Sequence, residues 1–481
     1  MMQQLPISLL KSLMNLKGFN KEAFERVHAS GEQVTSIRFN PAKTFTSVDS
    51  QLTTDERQIE NIGLPGRDSF PDSRLTSQVP WSSNGYYLSA RPSFTFDPLF
   101  HAGAYYVQEA SSMFLEQAIK QTVDLSQPLH VLDLCASPGG KSTLLQSIIN
   151  KESLLVSNDT IKSRAAVLEE NITKWGATNV IVTNNDPAHF ARLENYFDVI
   201  VIDAPCSGSG LFRRDPEAIN EWSENNVQLC SQRQQRIIAD VWPALRQDGI
   251  LIYSTCSYSK EEDEAILDWM TKGFKVEGLK LIVKDEWQIT ETVSTDHTMA
   301  GYRFYPDKVK GEGFFIAALK KKDGAFFAGT KRGKSKLEKL NKAEEAIAKE
   351  WLNEQEDIIL FKQKDDVIAL PASLQNEIPV LQSALYIKKA GVTMGKLAGK
   401  DLIPAHALAV SSIINKNIAL IELNKKQAIQ YLRREEMQLS TQNKGWALIK
   451  YLGHNLGWVK VLPNRFNNYY PKEWRIIKQN P

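Results

Sequence analysis

Two cysteines in this sequence follow short apolar runs. Cys206 occurs in VIDAPCSGSG, residues 201–210, and Cys256 occurs in ILIYSTCSYS, residues 250–259. A thiolate is a strong nucleophile, and nearby cations or backbone donors favour it over the thiol. By adding to carbon 6 of a cytosine, a thiolate makes carbon 5 electron-rich enough to accept a methyl group. The motifs therefore predict covalent methyl transfer to a pyrimidine, and their spacing leaves open which thiol attacks.

Other residues near these cysteines suit the same chemistry. Asp203 precedes Pro205 by two residues, within reach of the cytosine edge or of a cofactor. Arg213 and Arg214 are candidate cations for the thiolates and for RNA phosphates. A cysteine in isolation is more often a small buried hydrophobe, and we interpret Cys230 in that way.

A second motif predicts a cofactor pocket. LDLCASPGGKS, residues 132–142, follows an apolar run and opens a helix-like segment, with Gly139 and Gly140 allowing close backbone approach. The spacing differs from G-x-G-x-x-G, and Pro138 removes a backbone donor, so a dinucleotide is disfavoured. Asp159 and Asp186 follow the next two apolar runs. An acidic clamp without a phosphate cradle suits the adenosine of S-adenosylmethionine.

The elements that must position these residues alternate along the chain. Five Val- and Ile-rich runs, typical of parallel strands buried on both faces, alternate with helix-like segments. A strand pair near 278–284 and 313–319 would complete the sheet. This pattern predicts an α/β, doubly wound, Rossmann-like domain. The runs are HVLDLC, LLVSND, NVIVTN, FDVIVIDAP and GILIYSTC, and the helix-like segments include 141–150, 161–176, 188–196, 222–249 and 260–270.

Bulk properties narrow the class of protein. A chain of 481 residues with 42% hydrophobic content can form two to four domains, at about 100–200 residues per domain. The four cysteines include no C-x-x-C pair, which argues against zinc and against a disulfide framework. The chain shows no secretory leader and no run of about 18 apolar residues. We therefore expect a cytoplasmic protein with no membrane contact and no metal, and we expect a monomer.

Charge is distributed unevenly along the chain. Residues 385–481 contain 16 Lys or Arg and 5 Asp or Glu, a net charge of +11, whereas the remainder carries 42 and 51, a net charge of −9. The same tail contains nine aromatic residues. Cations interleaved with flat rings suit phosphates and unstacked bases, so the tail is predicted to bind nucleic acid.

Several motifs together resemble a known family. LDLCASPGGKS, DAPCSGSGLFRRDP, YSTCSYSKEEDEAI and KGEGFFIAALKK, with SIRFNP and YYVQEASSMF upstream, are similar to RNA 5-methylcytosine methyltransferases of the NOL1/NOP2/Sun family. The resemblance is greatest to bacterial members that modify small-subunit rRNA. The tail resembles their PUA-like domains. The resemblance as a whole implies four parts of the chain. These are an N-terminal RNA-binding extension (1–100), the methyltransferase domain (101–320), a basic linker with a small domain (321–384) and a PUA-like RNA-binding domain (385–481).

The resemblance also implies roles for residues. Cys256 would be the nucleophile, and Cys206 would assist breakdown of the covalent adduct. The implied target is one cytosine of 16S rRNA in the decoding region, on rRNA or the assembled small subunit. A tRNA methyltransferase and a non-catalytic ribosome-assembly factor are the alternatives. The implied S-adenosylmethionine contacts are Cys135, Ala136, Ser137, Pro138, Gly139, Gly140, Lys141, Asp159, Asp186 and Asp203.

Overall fold

The computed structural model describes residues 4–43, 74–296, 299–325, 338–353, 357–439, 441–442 and 444–479. The strands within these residues are β1 (Thr35–Phe39), β2 (Leu75–Gln78), β3 (Gly85–Leu88), β4 (Tyr105–Val107), β5 (His130–Asp133), β6 (Leu154–Asn158), β7 (Val180–Thr183), β8 (Phe197–Asp203), β9 (Leu245–Thr255), β10 (Val276–Leu279), β11 (Thr290–Val293), β12 (Ala300–Phe304), β13 (Phe314–Lys321), β14 (Glu338–Lys339), β15 (Ile358–Gln363), β16 (Asp366–Pro371), β17 (Ile387–Ala390), β18 (Val392–Ala398), β19 (Asp401–Pro404), β20 (Leu420–Glu422), β21 (Gly445–Tyr451), β22 (His454–Leu462) and β23 (Arg465–Asn468). The α-helices are α1 (Ile7–Leu13), α2 (Lys21–Ala29), α3 (Pro98–His101), α4 (Leu115–Thr122), α5 (Gly140–Ile148), α6 (Lys162–Trp175), α7 (Ala218–Glu221), α8 (Glu224–Val241), α9 (Glu264–Gly273), α10 (Lys342–Lys349), α11 (Glu377–Ala384), α12 (His406–Val410) and α13 (Lys425–Arg433).

A ten-stranded sheet within the described residues forms the central layer. Its parallel part has the order β9-β8-β5-β6-β7, and β13 continues it with an antiparallel strand beside β9. Strand order reverses at β5, which places a ligand crevice at the carboxyl ends of the strands there. The predicted Rossmann-like arrangement is confirmed.

Both faces of this sheet are buried, which explains its continuous apolar runs. Leu132 of β5 lies in one core cluster with Ile237 and Ile238 of α8. Its neighbour Val131 lies in a second cluster with Leu144 of α5 and Leu168 of α6. Because successive side chains on a strand point to opposite faces, the run fills two cores at once.

Several predicted elements differ from those observed. The helix predicted over 188–196 is a short 3-10 helix, Pro187–Arg192. The helix predicted over 222–249 ends at Val241, because Pro243 cannot donate to the preceding turn, and β9 begins at Leu245. The strand predicted at 278–284 is β10, Val276–Leu279, and the hairpin of β11 and β12 was not predicted.

The part of the chain that follows the central sheet contains two further sheets. One has the order β14-β15-β16-β18-β19, and the other has the order β20-β21-β22-β23. Strand β17, assigned from sequence to the basic tail, instead joins the central sheet antiparallel to β7. The basic linker predicted after residue 320 falls largely on residues 326–337, outside the described residues. Within the part described, no helix has the length and apolarity to cross a membrane.

Candidate active site

The two cysteines meet because their strands are parallel neighbours. Asp203 of β8 is in register with Ser254 of β9, so the loops that follow both strands leave the same edge of the sheet. The Sγ atoms of Cys206 and Cys256 are 3.0 Å apart, and both residues are partly exposed free thiols. The structure thus brings together the two thiols that the sequence singled out, at one accessible point.

Glu262 holds the two cysteine loops together. Its Oε1 accepts from the Ser207 backbone N–H at 2.8 Å, and its Oε2 accepts from the hydroxyls of Ser207 at 2.5 Å and Ser257 at 2.6 Å. Gln234 Nε2 also donates to Oε1 at 3.2 Å. Ser207 and Ser257 each follow a cysteine directly, so one buried carboxylate sets the separation of the two loops. Burial raises the pKa of Glu262, and these donors oppose that rise.

We call Glu262 and its contacts to the two cysteine loops the clamp. A buried cluster of ion pairs next to the clamp also contacts the Cys256 loop. Arg303 of β12 makes a bidentate contact to Glu264, with Nε–Oε1 at 2.7 Å and the second oxygen at 2.5 Å, and it contacts Asp263 Oδ2 at 3.0 Å. Thr255, which precedes Cys256, donates to Asp263 Oδ1 at 2.7 Å. The guanidinium also donates to the Tyr258 carbonyl at 2.9 Å. Both sides of the Cys256 loop are therefore fixed by buried polar contacts.

The charges near the two thiols differ. The hydrogen bond to Cys256 and burial raise the pKa of the Cys206 thiol well above its usual value, and the charge of Glu262 raises it further. Lys141 Nζ lies 2.8 Å from Asp203 Oδ2. Burial opposes the charge on Lys141, but Asp203, Asp133 and Cys256 together raise the pKa of its ammonium above the usual value. Negative charge is thus disfavoured at Cys206, whereas Cys256 interacts with the cation of Lys141.

The prediction that Arg213 serves the thiolates or an RNA phosphate is wrong. Its side chain is 5% exposed, lies 3.5 Å from Glu312, and donates to the carbonyls of Glu32 and Gly311. The guanidinium instead joins the N-terminal helices to the segment before β13. Arg214 is exposed, and its predicted role stays a prediction. Cys230 is buried on α8, as its interpretation as a small hydrophobe requires.

The predicted cofactor residues line the carboxyl edge of the sheet. Asp203 ends β8, Asp159 follows β6 and Asp186 follows β7. Asp159 accepts from the Ile161 backbone N–H at 2.9 Å and Asp186 from that of Ala188 at 3.1 Å, so each also caps the segment that follows it. Asp186 caps the 3-10 helix Pro187–Arg192, and the second oxygen of Asp159 lies 3.3 Å from Arg164 Nε. The ligand roles of both carboxylates stay predictions.

The loop from Cys135 to Lys141 connects β5 to α5. Ser137 and Pro138 are joined by a cis peptide bond, and Gly139 has φ +116°, a conformation that glycine adopts without strain. The Ala136 backbone N–H donates to Asn158 O, and the Asn171 side chain donates to Pro138 O. Burial raises the pKa of the Cys135 thiol, and neighbouring carboxylates raise it further. Cys135 is therefore a neutral part of the loop wall.

Four residues that support the site were not predicted. Glu262 and Glu264 stand in KEEDEA, which resembles the solvated acidic start of a helix, yet both are buried. A charged Arg303 within the apolar run GYRFY was the available signal for a buried partner. Arg38 of β1 donates to the Gly140 carbonyl at 3.2 Å and to Thr143 Oγ1 at 2.6 Å. These bonds connect a four-stranded sheet near the N-terminus, of order β2-β3-β1-β4, to the cofactor loop.

Comparison with known proteins identifies the family. A family model described as 16S rRNA methyltransferase RsmB/F matches residues 120–320. Models described as the N-terminal domain of 16S rRNA methyltransferase RsmF and the methyltransferase RsmF PUA domain match residues 66–110 and 419–476. Ribosomal RNA small subunit methyltransferase F of Psychromonas ingrahamii is 30% identical over 421 residues, which cover 84% of this chain and 86% of that one. The chain belongs to the 16S rRNA methyltransferase RsmB/F family.

Other relatives agree with the RsmB/F assignment. Ribosomal RNA small subunit methyltransferase F of Shewanella loihica is 29% identical, covering 93% of this chain and 92% of that one. The crystal structure of PH0851 has a TM-score of 0.54 at 23% identity, covering 66% of each chain. NSun6 from Pyrococcus horikoshii with SFG has a TM-score of 0.51 at 19% identity, covering 66% of this chain and 98% of that one. These structures show the shared fold.

As an RsmB/F member, the chain is a methyltransferase that uses S-adenosylmethionine, and the carboxyl edge has groups that fit this cofactor. The carboxylates of Asp159 and Asp203 lie at this edge, next to the loop in which Pro138 has no backbone N–H to donate. Asp133 is buried, and its Oδ1 has no hydrogen-bond partner among the described residues. Burial raises the pKa of Asp133 to about 7, against the opposing hydrogen bond from Ser142. An unpaired acceptor beside an acidic edge favours a cationic ligand with hydroxyl and amino donors.

Proposed function

We propose that this protein transfers a methyl group from S-adenosylmethionine to carbon 5 of a cytosine in 16S rRNA through a covalent cysteine adduct. The observation that carries the proposal is the pair of thiols 3.0 Å apart at the carboxyl ends of adjacent strands, beside the predicted cofactor edge. A methyltransferase acting on an oxygen or an exocyclic amine has no need for such a nucleophile. The names of the relatives support rRNA as the substrate.

Cys256 is the proposed nucleophile. The resemblance of its TC motif favours it, and the charges around the thiols support the same choice. Cys256 interacts with the charge of Lys141, whereas the shared hydrogen bond, burial and Glu262 raise the pKa of Cys206 and keep its proton in place. A thiolate held beside a cation and a protonated neighbour attacks more readily than one beside a carboxylate.

The proposed reaction then proceeds in balanced steps. The Cys256 sulfur bonds to carbon 6, and the electron pair of the 5,6 double bond moves to carbon 5, which takes up the methyl group. When bound, S-adenosylmethionine supplies that methyl from a cationic sulfur, which keeps the electron pair of the broken bond between sulfur and carbon and becomes a neutral thioether. The carbon 5 proton passes to water, the bond between carbon 6 and sulfur breaks, and the double bond is restored. Cys206 assists this release, and its contact with Cys256 at 3.0 Å supports that role.

The predicted cofactor contacts are proposed as a set. The loop Cys135, Ala136, Ser137, Pro138, Gly139 and Gly140 lies against one side of the ligand, and Asp159 and Asp186 accept from its ribose and adenine. Lys141 orients Asp203, through the ion pair between them, toward the cytosine edge or the cofactor. These roles rest on the order of the residues along the carboxyl edge and on the resemblance.

The target base must leave its stack to reach the thiols, which costs about a few kcal/mol. We propose that the N-terminal region and the basic tail hold the flanking RNA, and that binding weakens steeply with salt. The decoding region of the small subunit, as rRNA or as the assembled particle, is the predicted target. A cytoplasmic monomer remains the expected form.

Adduct trapping tests the proposal. Wild-type protein and the variants Cys256→Ala and Cys206→Ala are incubated with S-adenosylmethionine and either 16S rRNA or small subunits, and a denaturing gel then detects protein bound to RNA. Cys230→Ala is the matched control, because it removes a buried thiol outside the site. We expect accumulation of adduct with Cys206→Ala, none with Cys256→Ala, and wild-type turnover with Cys230→Ala.

The alternatives give different results. Adduct with Cys256→Ala and none with Cys206→Ala would transfer the attacking role to Cys206. Full activity in a protein lacking both thiols would refute covalent catalysis. Bisulfite sequencing of rRNA and tRNA from a strain lacking the gene separates the substrates, because a lost methyl group in tRNA alone would contradict the rRNA proposal. Unchanged methylation in both RNAs would favour the assembly-factor alternative.

A further inference from the structure

A cavity of about 540 Å³ lies between the central sheet and the C-terminal part of the chain. One wall comes from the ends of α5 and α6, including Gln146, Lys151 and the segment 175–179. The other comes from residues 410–416 and from the hairpin of β21 and β22. No function in the RsmB/F assignment or the proposed mechanism uses this space.

The cavity is lined by four lysines and, within the described residues, by no carboxylate. We call it the lysine cleft, after Lys43, Lys151, Lys416 and Lys450. Among the described residues, none of the four forms an ion pair, whereas nearby Lys388 lies 3.0 Å from Glu169. Two of the cleft lysines come from the part of the chain with a net charge of −9, and two come from the basic tail.

Lys43 is the most buried of the four. Its Nζ donates to the carbonyls of Ala102 and Lys174, both at 2.6 Å. Burial lowers the pKa of Lys43 to about 7, and the same charge helps to lower the pKa of His454, mainly a result of burial, to about 4. Lys43 and Lys450 both lower the pKa of His454, so positive potential extends into the cleft and favours an anion there.

The walls of the cleft are fixed against each other. The Ser412 backbone N–H donates to the Gly176 carbonyl at 3.3 Å. A Cβ at Gly176, which has φ +87°, would lie 2.3 Å from the Val410 carbonyl oxygen, so only glycine allows this approach. The cleft is therefore preformed, and its lysines need little rearrangement to bind.

The cleft lies at the edge of the sheet opposite the cysteines. Lys151 precedes β6 and the segment 175–179 precedes β7, whereas the cofactor loop and Asp159 stand at the other ends of the same helices and strands. Helix α6 spans 14 residues between the two edges, which is about 21 Å at 1.5 Å per residue. A single flipped nucleotide cannot fill both sites.

We infer that the lysine cleft binds the phosphate backbone of a second segment of the RNA substrate, about 20 Å from the target base. This inference rests on the proposed function. Lysines from separate parts of the chain, without ion pairs among the described residues and spread around an open cavity, suit a chain of phosphates better than one small anion. Contacts at both edges of the sheet would fix the orientation of a structured RNA while its base is flipped.

Salt titration of RNA binding tests the inference. The cleft variant combines Lys151→Gln, Lys416→Gln and Lys450→Gln, and it spares the buried Lys43. The control combines Lys272→Gln, Lys284→Gln and Lys349→Gln, which removes the same charge from exposed lysines that face carboxylates. Binding of fluorescently labelled 16S rRNA fragments is measured at salt concentrations from 50 to 300 mM. The Debye length is about 10 Å at 0.1 M and shortens as salt increases, so this range screens the phosphate contacts progressively. Circular dichroism and thermal midpoints verify folding.

Three lysine contacts to phosphate should reduce the slope of log K against log salt by about 2 to 3, and should weaken binding by about 10- to 100-fold at 0.1 M salt. We expect this in the cleft variant alone, with kcat at saturating RNA unchanged. Equal slopes in the cleft and control variants would overturn the inference. A second result would also overturn the inference. If 10 mM inorganic phosphate stabilises the wild type but not the cleft variant, and the RNA slopes of the two proteins are equal, the cleft binds a small anion instead of RNA. Absence of RNA methylation by the wild type would instead refute the proposed function.

Discussion

Removal of the Glu262 carboxylate should separate the two cysteine loops. In Glu262→Ala, the Ser207 backbone N–H and one N–H of the Gln234 amide lose their acceptor inside the protein, while Gln234 Nε2 keeps its bond to the Pro205 carbonyl. A buried donor without a partner costs about 1 to 3 kcal/mol, so two of them should lower the free energy of unfolding by about 2 to 6 kcal/mol. The hydroxyls of Ser207 and Ser257 can rotate to other partners, and we therefore count them as nearly neutral.

The effect on catalysis should be larger than the effect on RNA binding. Ser207 and Ser257 directly follow the two cysteines, so loss of their common acceptor allows the thiols to move apart. A displacement of about 1 Å can lower a rate by about 100-fold. We expect single-turnover methyl transfer in Glu262→Ala to fall by about that factor, with the affinity for RNA unchanged.

Two matched variants make this prediction specific. Glu262→Gln keeps an acceptor oxygen and the shape of the side chain, and the two serine hydroxyls can turn to accept from its amide, so we expect a rate between those of wild type and Glu262→Ala. Glu261→Gln changes the adjacent acid, whose side chain is not part of the clamp, and should have the wild-type rate. The assay is single-turnover transfer of labelled methyl at saturating RNA and cofactor, with folding verified by circular dichroism.

A folded Glu262→Ala protein with the wild-type single-turnover rate would refute the positioning role. An equal loss of rate in Glu262→Ala and Glu261→Gln would show that charge near the site, and not the contact to the loops, is what matters. A loss confined to KM for RNA would also contradict the argument, because the clamp lies beneath the thiols.

Two further predictions concern buried charge. Arg303→Lys cannot keep the bidentate contact to Glu264 together with the contact to Asp263, and breaking a buried pair of this kind should lower the free energy of unfolding by about 3 to 5 kcal/mol, measured by chemical denaturation. Burial raises the pKa of Asp133 from 3.8 to about 7, so the folded state binds a proton that the unfolded state releases, and wild-type stability should fall as the pH rises from about 4 to about 7. Asp133→Asn removes this titration, so its stability relative to wild type should increase by about 2 to 3 kcal/mol between pH 5 and pH 8, measured by denaturation at both values. A constant difference would contradict the buried-carboxyl assignment.

The central sheet was predictable because its strands carry their own signal. Runs such as FDVIVID are apolar at successive positions, which only a strand covered on both faces requires, and β8 is observed at those residues. The cofactor loop and both cysteines could be placed for the same reason, since parallel strands present their carboxyl ends at one edge.

The errors arise where partners lie far apart in sequence. Strand β17 has the sequence IKKA, which reads as part of a basic tail, but it pairs with β7 some 200 residues earlier along the chain, in the register Ile387 to Thr183. The domain boundary predicted at residue 385 therefore falls between α11 and β17, two elements that both contribute to the core of the central sheet. Local composition cannot predict such a pairing, because the pairing depends on which strand lies at the edge of the sheet and not on the hydropathy of β17.

The choice between the two thiols illustrates the same limit at the site. Both cysteines follow an apolar strand and precede a serine, so their local sequences are nearly equivalent. The difference comes from groups on other elements. The charge of Lys141, at the start of α5, interacts with Cys256, and Glu262, from the segment before α9, contributes to the raised pKa of Cys206. In the proposed mechanism, the nucleophile and its assistant thus acquire separate roles through tertiary contacts. It follows that a chain could keep both cysteine motifs and still lose the distinction between them, if either the lysine or the carboxylate were replaced.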